Sequence, residues 1–423
     1  MGVKVIKTYI IEGARPLEGT ITVSGAKNAV LPLMAAALMA NGPVILRQVP
    51  HISDVGIMLE MLTALGMTGT WLDYNTLQLM PGRELNVTAP EKLLREMRAS
   101  ILVVGPLLAK EGKAVVFPPG GCNIGPRPID FHLKGMKALG ADIQEDEGRI
   151  IFMQRKLRGA EIMLDYPSVG ATENIMCAAS LADGKTVIQN AAKEPEIVEL
   201  QNFLNLMGAR VKGAGTDRIT IQGVESLSGA DYTVIPDRIE AGTFLITGAI
   251  TGGDLEVKNV ILEHMDAIIA KLQEMGFKLD RGSDRIRIQG GNRGKSVFLR
   301  SMPYPGYPTD MLPVMFPLLA VADGVSMVYE SVFANRFKHL DDLIRMGAQI
   351  KTEGRLAMVT GVERLHGTTV RATDLRAGAA LIAAGLAAKG RTVIESADHI
   401  DRGYEAIVEK LRQVGAEIIG SSG

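Results

Sequence analysis

The fold is indicated most directly by residues 29–38, which read Ala29-Val30-Leu31-Pro32-Leu33-Met34-Ala35-Ala36-Ala37-Leu38. A helix with small or apolar side chains at every position has no polar face to present to water. Similar runs recur along the chain, for example at residues 174–179 and 377–388. The sequence therefore predicts helices that are buried on all sides with sheets packed around them, which is unusual for an α/β protein.

Two glycine landmarks divide the chain into six similar units. The first landmark is a helix-ending glycine after an apolar residue, and it recurs at Gly66, Gly140, Gly208, Gly276, Gly347 and Gly415. Successive positions differ by 74, 68, 68, 71 and 68 residues. The second landmark, a glycine before a β-rich run, recurs at Gly42, Gly112, Gly184, Gly253, Gly324 and Gly390. Two markers that share one period of about 70 residues indicate a repeat architecture.

The order of elements within a repeat follows from the same landmarks. A strand leads into a small-residue helix, and the second landmark glycine ends that helix, consistent with a C-terminal cap. A β run follows, and a second, amphipathic helix leads to the first landmark glycine. Two strands joined by a polar turn complete a βαβαββ unit. Six such units divide naturally into two domains of three, and Ser, Gly and Asp cluster at the expected division near residues 223–236. Periodicity alone does not place residues 1–20.

The start of each buried helix lies 14 or 15 residues before the second glycine landmark. The six positions are occupied by Lys27, Arg98, Gly170, Arg238, Asp310 and Arg376. Four are cations, although a helix N-terminus carries a partial positive charge and favours anions. Cations at these ends could simply be solvated, but their recurrence favours another interpretation: the helix starts face one cleft between the domains. The ligand should then carry several negative charges.

Asp310 is the acidic exception among these positions. A carboxylate surrounded by cations should stay ionised and could accept a proton from a substrate hydroxyl. It could instead cap the helix that follows it. The two roles are compatible, and the sequence leaves both open.

A thiol lies in a second informative stretch, residues 118–130, which read PPGGCNIGPRPID. Glycine and proline exclude regular helix or strand there. Pro126 and Pro128 flank Arg127, so the guanidinium extends from a stiff backbone a few residues after Cys122. An ordinary surface turn that happens to carry a cysteine is the alternative. Because functional residues concentrate in loops, we favour chemistry on an anionic substrate.

Composition excludes several classes of protein. The chain has 423 residues, too many for one core, and a net charge of -1, which argues against a nucleic-acid surface or a nucleic-acid clamp. Cys177 lies in an apolar helical run, and no cysteine or histidine spacing fits a metal site. Ser24–Asn28 is not a P-loop, and the Cys122 stretch lacks GxGxxG. Without a signal peptide or a membrane-spanning apolar run, we expect a cytoplasmic protein with no membrane partner.

At these residues the sequence resembles the UDP-N-acetylglucosamine 1-carboxyvinyltransferase family of enolpyruvyl transferases, over essentially the whole chain. The resemblance is carried by Ser24–Ala29, Met97–Ser100, Gly120–Asp130, Ser168–Thr172, Pro236–Glu240, Pro308–Asp310, Asn335–Phe337, Arg371–Arg376 and Asp401–Tyr404. The Gly-Gly-Cys loop is its specific part, because the shikimate-pathway enolpyruvyl transferase shares the fold and the type of reaction but not this loop.

The resemblance implies a two-domain inside-out α/β barrel of six βαβαββ repeats, arranged three plus three, with helices buried and sheets outside. One domain would span residues 21–235, and the other 1–20 plus 236–423. Enolpyruvate would pass from phosphoenolpyruvate to the 3′-hydroxyl of UDP-N-acetylglucosamine by addition and elimination, the first committed step of peptidoglycan synthesis. No metal or organic cofactor is implied. The oligomeric state stays open, and a monomer is compatible with the sequence.

Roles for individual residues are also implied by the resemblance. The catalytic residues would be Cys122 as the acid toward the enolpyruvate methylene, Asp310 as the base toward the sugar hydroxyl, and the cations Lys27 and Arg402. Phosphoenolpyruvate would contact Lys27, Asn28, Arg127, Arg376 and Arg402. The UDP-sugar would contact Asn28, Arg98, Arg127, Pro128, Ile129, Asp130, Phe131, Ser168, Val169, Gly170, Asp310 and Val332. Cys122 would also be the target of fosfomycin. Two alternatives remain, an enolpyruvyl transferase for another acceptor such as shikimate 3-phosphate and a non-catalytic regulatory paralogue.

Overall fold

The computed structural model describes residues 7–120, 129–291 and 293–422. Its strands are β1 Lys7–Glu12, β2 Glu18–Thr22, β3 Val44–Arg47, β4 Met67–Trp71, β5 Leu77–Pro81, β6 Lys113–Val116, β7 Asp142–Asp146, β8 Arg149–Met153, β9 Glu161–Met163, β10 Lys185–Gln189, β11 Arg210–Lys212, β12 Arg218–Gln222, β13 Ala230–Thr233, β14 Asp254–Lys258, β15 Lys278–Arg281, β16 Arg285–Gln289, β17 Phe298–Arg300, β18 Val325–Tyr329, β19 Gln349–Glu353, β20 Leu356–Thr360, β21 Thr369–Arg371, β22 Arg391–Glu395 and β23 Glu417–Ser422.

Its α-helices are α1 Lys27–Ala36, α2 Ser53–Ala64, α3 Glu91–Glu96, α4 Val104–Glu111, α5 Asp130–Ala138, α6 Val169–Ser180, α7 Pro195–Leu206, α8 Arg238–Ile250, α9 Asp266–Glu274, α10 Leu312–Ala320, α11 Leu340–Arg345, α12 Leu375–Ala387 and α13 Ile407–Gln413. Short 3-10 turns are Ala37–Met39, Arg98–Val103, Leu262–His264, Thr309–Met311 and Ala397–Arg402.

The described chain divides into two compact units. Residues 25–120 and 129–235 form the N-terminal unit, and residues 7–24 with the described residues from 236 onward form the C-terminal unit. The boundary expected after residue 20 falls inside β2. This strand pairs with β14 as far as Thr22, so residues 21–24 stay with the C-terminal unit.

Three sheets are found in the described part of each unit. Those of the N-terminal unit have the strand orders β13-β3-β5-β4, β6-β8-β7 and β9-β10-β12-β11, and those of the C-terminal unit have β2-β14-β16-β15, β17-β18-β20-β19 and β21-β22-β1-β23. In the four-stranded sheets the first strand runs parallel to the second and the remaining pairs are antiparallel. The second repeat departs from βαβαββ order. Its first strand is reduced to a bridge between Thr88 and Val115, and Pro90, which has no N–H to donate, follows two residues later.

In three of the repeats, one strand of the sheet is supplied by a segment that is distant in the sequence. The strand β13, at the end of the N-terminal unit, pairs with β3 near its beginning. In the C-terminal unit β2 pairs with β14, and β1 lies between β22 and β23. Residues 7–22 therefore supply two strands to sheets whose other strands lie more than 200 residues away.

The small-residue helices are enclosed within their units. All nine residues of α10 are buried, as are twelve of the thirteen in α12 and eleven of the thirteen in α8. Each unit has its own core, built mainly from Ala, Val, Leu, Ile and Met. Within the described ranges, no helix combines the length and the apolar character needed to cross a membrane.

The first glycine landmark has a common backbone conformation. Gly66, Gly140, Gly208, Gly276, Gly347 and Gly415 all have φ between 94° and 105°. Side chains with a Cβ rarely adopt this region, which explains why glycine recurs at the end of the second helix of every repeat. The prediction that these glycines end helices is confirmed. The caps predicted at the second landmark are confirmed in part: Gly112, Gly184, Gly324 and Gly390 have φ between 71° and 98°, whereas Gly42 and Gly253 do not have a positive φ.

Candidate functional site

The helix starts predicted from the glycine spacing are confirmed. Lys27, Arg98 and Arg238 are the first residues of α1, of the Arg98–Val103 turn and of α8. The other three positions, Gly170, Asp310 and Arg376, are the second residues of α6, of the Thr309–Met311 turn and of α12. A single local pattern therefore places six chemically informative residues at equivalent points of six repeats.

Lys27 in the N-terminal unit is paired with a protein carboxylate. Its Nζ lies 2.7 Å from Oδ2 of Asp54, and only 12% and 2% of the two side chains are exposed. Asp54 belongs to the first turn of α2, where the free N–H groups of the helix favour a negative charge. Asp54 therefore supplies one negative charge that offsets Lys27 within the protein itself.

The backbone before Lys27 requires a glycine. A Cβ on Gly25 would lie 1.8 Å from the carbonyl oxygen of Gln48. Any other residue would push the segment 24–27 away from its neighbour, and Lys27 with it. This close approach is the physical reason for the glycine in the Ser24–Asn28 motif.

In the N-terminal unit, His132 links two segments that carry predicted site residues, the start of α5 and the start of α6. The imidazole is buried, and its ring lies 3.5 Å from the position of a Cβ on Gly170. Nδ1 of His132 lies 3.0 Å from Nδ2 of Asn174, so Nδ1 accepts this hydrogen bond. Burial, reinforced by the charge of Arg98, lowers the pKa of His132 to about 3. A neutral histidine thus connects α5, which follows Ile129, to the start of α6.

The C-terminal unit holds an ion-pair cluster around Asp310. Nη2 of Arg336 donates to Oδ1 of Asp310 at 2.7 Å, and Nε of Arg376 donates to Oδ2 at 3.2 Å. Both arginine side chains are 3% exposed, whereas the side chain of Asp310 is 29% exposed. The N-cap residue of α10, the helix that follows, is Met311 and not Asp310. We call Asp310, Arg336 and Arg376 the Asp310 cluster.

The two arginines of the Asp310 cluster retain unused donors. Nε of Arg336 and Nη1 of Arg376 are buried and have no hydrogen-bond partner among the described residues. Buried donors are almost always paired in native structures, and a guanidinium matches the geometry of carboxylate and phosphate groups. The cluster can therefore accept an anion in addition to Asp310.

The segment that carries Arg402 is held against α12, the helix that begins beside Arg376. A Cβ on Gly378 would lie 2.4 Å from Ile400, so this glycine permits the close approach of the two elements. Asp401 accepts hydrogen bonds from Lys7 and from Tyr9 of β1. The terminal strand thus fixes the residue that precedes Arg402.

Tyr404 contributes a second buried contact to the start of α12. The guanidinium of Arg376 lies over its ring, 5.3 Å from the centroid, and its hydroxyl is hydrogen-bonded to Thr243 of α8 at 2.8 Å. A cation over an aromatic face is attracted by the ring quadrupole. The position of Arg376 is therefore determined from α8, from Tyr404 and from Asp310 together.

The predicted site residues fall into three groups. Cys122, Arg127 and Pro128 lie outside the described residues. The N-terminal unit holds Lys27, Asn28, Arg98, Ile129, Asp130, Phe131, Ser168, Val169 and Gly170, and the C-terminal unit holds Asp310, Val332, Arg376 and Arg402. Ser168 caps α6 through its hydroxyl, which accepts from the amide of Ala171. In the described part of the chain no group of three His, Cys, Asp or Glu side chains could hold a metal ion.

Sequence reasoning assigned no role to three residues of these clusters. Arg336 lies in the Asn335–Phe337 motif, which carries part of the family resemblance. A cation within such a motif is the signal that could have found it. Asp54 and His132 lie in the amphipathic second helices of their repeats, where no local pattern distinguishes them from surface residues. Only the contacts described above reveal them.

A family model and full-length relatives match this chain. The family model described as EPSP synthase (3-phosphoshikimate 1-carboxyvinyltransferase) matches residues 11–411. The UDP-N-acetylglucosamine 1-carboxyvinyltransferase 1 of Caldanaerobacter subterraneus subsp. tengcongensis is 53% identical, over 97% of this chain and 98% of that protein. The UDP-N-acetylglucosamine 1-carboxyvinyltransferase of Halothermothrix orenii is 51% identical over the same shares.

Solved structures show the same fold. The enolpyruvyl transferase NikO from Streptomyces tendae superposes with a TM-score of 0.89 at 25% identity, over 99% of this chain and 100% of that chain. An EPSP synthase from Acinetobacter baumannii has a TM-score of 0.78 at 22% identity, over 98% and 100% of the two chains. With about half of its residues identical to those relatives along nearly its whole length, this chain belongs to the UDP-N-acetylglucosamine 1-carboxyvinyltransferase family and has the enolpyruvyl transferase fold.

Proposed function

We propose that this enzyme transfers enolpyruvate from phosphoenolpyruvate to the 3′-hydroxyl of UDP-N-acetylglucosamine and releases phosphate. The observation that carries the proposal is the identity of about 50% to full-length relatives that bear the name of this activity. The Asp310 cluster supports it, because a partly exposed carboxylate and two buried guanidinium groups suit an acceptor hydroxyl and an anionic donor.

The chemistry begins with Asp310 as the base. Two neighbouring guanidinium groups favour its ionised form, and an ionised carboxylate can take the proton of the 3′-hydroxyl. The sugar oxygen bonds to C2 of phosphoenolpyruvate while Cys122 transfers its thiol proton to C3, which gives a tetrahedral ketal. The Cys122 thiolate then takes a proton back from C3 and the bond between C2 and the phosphate oxygen breaks. The leaving phosphate receives the proton held by Asp310, which yields the enolpyruvyl ether and inorganic phosphate.

Binding of the two substrates is assigned to cations and to helix starts. For phosphoenolpyruvate we propose Lys27, Asn28, Arg127, Arg376 and Arg402. For the UDP-sugar we propose Asn28, Arg98, Arg127, Pro128, Ile129, Asp130, Phe131, Ser168, Val169, Gly170, Asp310 and Val332. The unused Nη1 donor of Arg376 supports its assignment to an anionic group. Preplaced cations stabilise the charge that develops during addition and elimination.

The proposal extends to the arrangement of sheets and helices in each unit and to the role of the reaction in the cell. The three sheets of each unit would enclose its buried helices as an inside-out α/β barrel. The reaction would supply peptidoglycan synthesis from the cytoplasm, without a metal or organic cofactor. Cys122 would be the residue that fosfomycin alkylates.

The test is phosphate release from phosphoenolpyruvate in the presence of either UDP-N-acetylglucosamine or shikimate 3-phosphate. We expect turnover with the UDP-sugar alone. Turnover with shikimate 3-phosphate alone would instead support the second candidate, which the matching EPSP synthase family model brings into consideration. Absence of release with both acceptors would favour a non-catalytic paralogue and overturn the proposal.

A further inference from the structure

Glu330 is a buried carboxylate that receives four hydrogen bonds. It follows β18 directly and is 1% exposed. Its Oε1 accepts from Oγ of Ser301 at 2.7 Å, from N of Val332 at 2.6 Å and from N of Phe333 at 3.0 Å, and its Oε2 accepts from Oγ1 of Thr309 at 2.7 Å. An ionised carboxylate accepts at about four lone-pair positions and donates nothing. The four donors therefore match this form of the side chain.

Three of the four donors, Thr309, Val332 and Phe333, belong to the two segments that carry the Asp310–Arg336 ion pair. Thr309 immediately precedes Asp310 in the same 3-10 turn. The amides of Val332 and Phe333 begin the segment that reaches Arg336, whose Nη2 donates to Oδ1 of Asp310 at 2.7 Å. Glu330 thus accepts hydrogen bonds from the segment of Asp310 and from the segment that reaches Arg336.

The network also binds Ser301, the residue after β17, to Ser331, the residue that follows Glu330. The hydroxyl of Ser301 donates to Glu330 and accepts from the amide of Ser331 at 2.9 Å. The hydroxyl of Ser331 donates to the carbonyl oxygen of Ser301. Each polar group is satisfied by another member, and a fully satisfied buried network fixes one arrangement of the chain.

No ion pair of Glu330 with a cation is found in the described part of the chain. Its negative charge is instead offset by hydroxyl and amide donors alone. A carboxylate in such a place is costly to bury unless its hydrogen bonds are complete. An apolar residue of similar size could fill the volume, but it could not hold Thr309 and the Val332–Phe333 amides at fixed separations.

We propose that Glu330 is a positioning residue for the transfer reaction: it sets the geometry of Asp310 relative to Arg336 and of the backbone at Val332. The inference rests on the proposed function, because it assigns Asp310 to the acceptor hydroxyl. Misplacement of a reacting group by about 1 Å can reduce turnover by about 100-fold. Glu330 would therefore govern kcat although it does not touch the substrate.

The experiment compares kcat, KM and melting temperature for three variants at this network. Glu330→Ala removes all four acceptor contacts, and we expect kcat to fall about 100-fold while KM for phosphoenolpyruvate changes less than about 3-fold. Glu330→Gln retains a carbonyl acceptor, and its amide group can donate to the Thr309 hydroxyl, so it should keep kcat within about 10-fold of wild type. Thr309→Val preserves shape and should lower kcat about 10-fold.

The double variant tests whether Glu330 acts through Thr309. If it does, Thr309→Val should lower kcat much less in the Glu330→Ala background than in wild type, because residues of one network are not additive. Fully additive losses would contradict this route. Should Glu330→Ala fail to fold, Glu330→Gln and Thr309→Val still give the comparison.

Ser326→Ala provides the matched control. Ser326 is also buried on β18, and its hydroxyl accepts from the amide of Val297 at 3.1 Å. Its loss should lower the melting temperature and leave kcat within about 2-fold, since it has no bond to the Asp310 segment. If the Glu330 and Thr309 variants behave like Ser326→Ala, with stability reduced and kcat unchanged, the proposal is overturned.

Two outcomes separate this inference from the proposed function. An inactive wild-type protein would refute the proposed function, whereas an active wild type with fully active variants would refute the role of Glu330. A crystal structure of Glu330→Ala gives a readout that does not depend on activity. We expect the distance between Oδ1 of Asp310 and Nη2 of Arg336 to leave hydrogen-bonding range, and an unchanged 2.7 Å would overturn the proposal.

Discussion

Glu199 gives the N-terminal unit a predictable dependence of stability on pH. This carboxylate on α7 is buried, with 3% exposed, and it accepts hydrogen bonds from the hydroxyl of Tyr232 at 3.0 Å and from the amide of Ile235 at 2.9 Å. Burial dominates over these bonds and raises its pKa from the ordinary value of 4.5 to about 7. The folded state therefore holds a proton that the unfolded state releases at lower pH.

The sign and the size of the effect follow from proton linkage. Below pH 4.5 both states are protonated, so Glu199 contributes no pH dependence. Between pH 4.5 and about 7 the folded state binds more protons, so the free energy of unfolding falls as the pH rises. At about 1.4 kcal/mol per pH unit, the total loss reaches about 3 kcal/mol. Above the folded pKa the loss is constant.

Glu199→Gln should remove this loss. The carboxamide oxygen can accept from the Ile235 amide, and its NH₂ group can donate to the Tyr232 oxygen, while no charge forms at any pH. Relative to wild type, the variant should gain up to about 3 kcal/mol of unfolding free energy between pH 5 and pH 8. The assay is urea unfolding at several pH values followed by the fluorescence of Trp71, the one tryptophan of the chain, which lies in the same unit.

Glu161→Gln, at an exposed position of β9, is the control for removal of a carboxylate from the same unit. The difference in unfolding free energy between this variant and wild type should be the same at every pH. A difference between Glu199→Gln and wild type that is constant from pH 5 to pH 8 would refute the argument from burial. A variant that loses stability relative to wild type as the pH rises would refute the sign.

Three further predictions concern the reaction. Cys122→Asp should keep measurable phosphate release and resist fosfomycin, since a carboxylic acid can donate a proton without being alkylated; full sensitivity would exclude the thiol as the target. Asp310→Asn, which keeps an acceptor for Arg336, should lower kcat by roughly 10²- to 10⁴-fold with little change in KM, and equal losses in both would make Asp310 a binding residue. Asp374→Ala removes the helix cap that accepts from the amide of Arg376, so urea unfolding should show a loss of about 1 kcal/mol of unfolding free energy. The KM for phosphoenolpyruvate should rise, and an unchanged KM would show that the cap has no part in substrate binding.

Local patterns in the sequence were sufficient for the repeat architecture. The glycine period, the helix starts and the left-handed glycines each depend on residues a few positions apart, because a helix start or cap is determined by its immediate neighbours. The spacing therefore placed Lys27, Asp310 and Arg376 within one residue of a helical start. The same reasoning placed the domain boundary four residues too early, since β2 continues to Thr22.

The charge pairs were decided by the tertiary structure. Asp310 meets Arg336 and Arg376, which are 26 and 66 residues away in sequence, and Lys27 meets Asp54 of the following helix. The six repeats offer equivalent positions, so a local pattern does not specify which cation reaches which carboxylate.

Taken by itself, the sequence determined where charged residues stand in each repeat and the family to which the chain is similar. Only the folded chain decided that β1 and β2 complete sheets of the C-terminal unit, and that Glu330 joins the segments of Asp310 and Arg336. The physical reason is that hydrophobic period and backbone propensity act over a few residues. Ion pairs and buried hydrogen bonds, in contrast, depend on distances that packing sets between segments far apart in the chain.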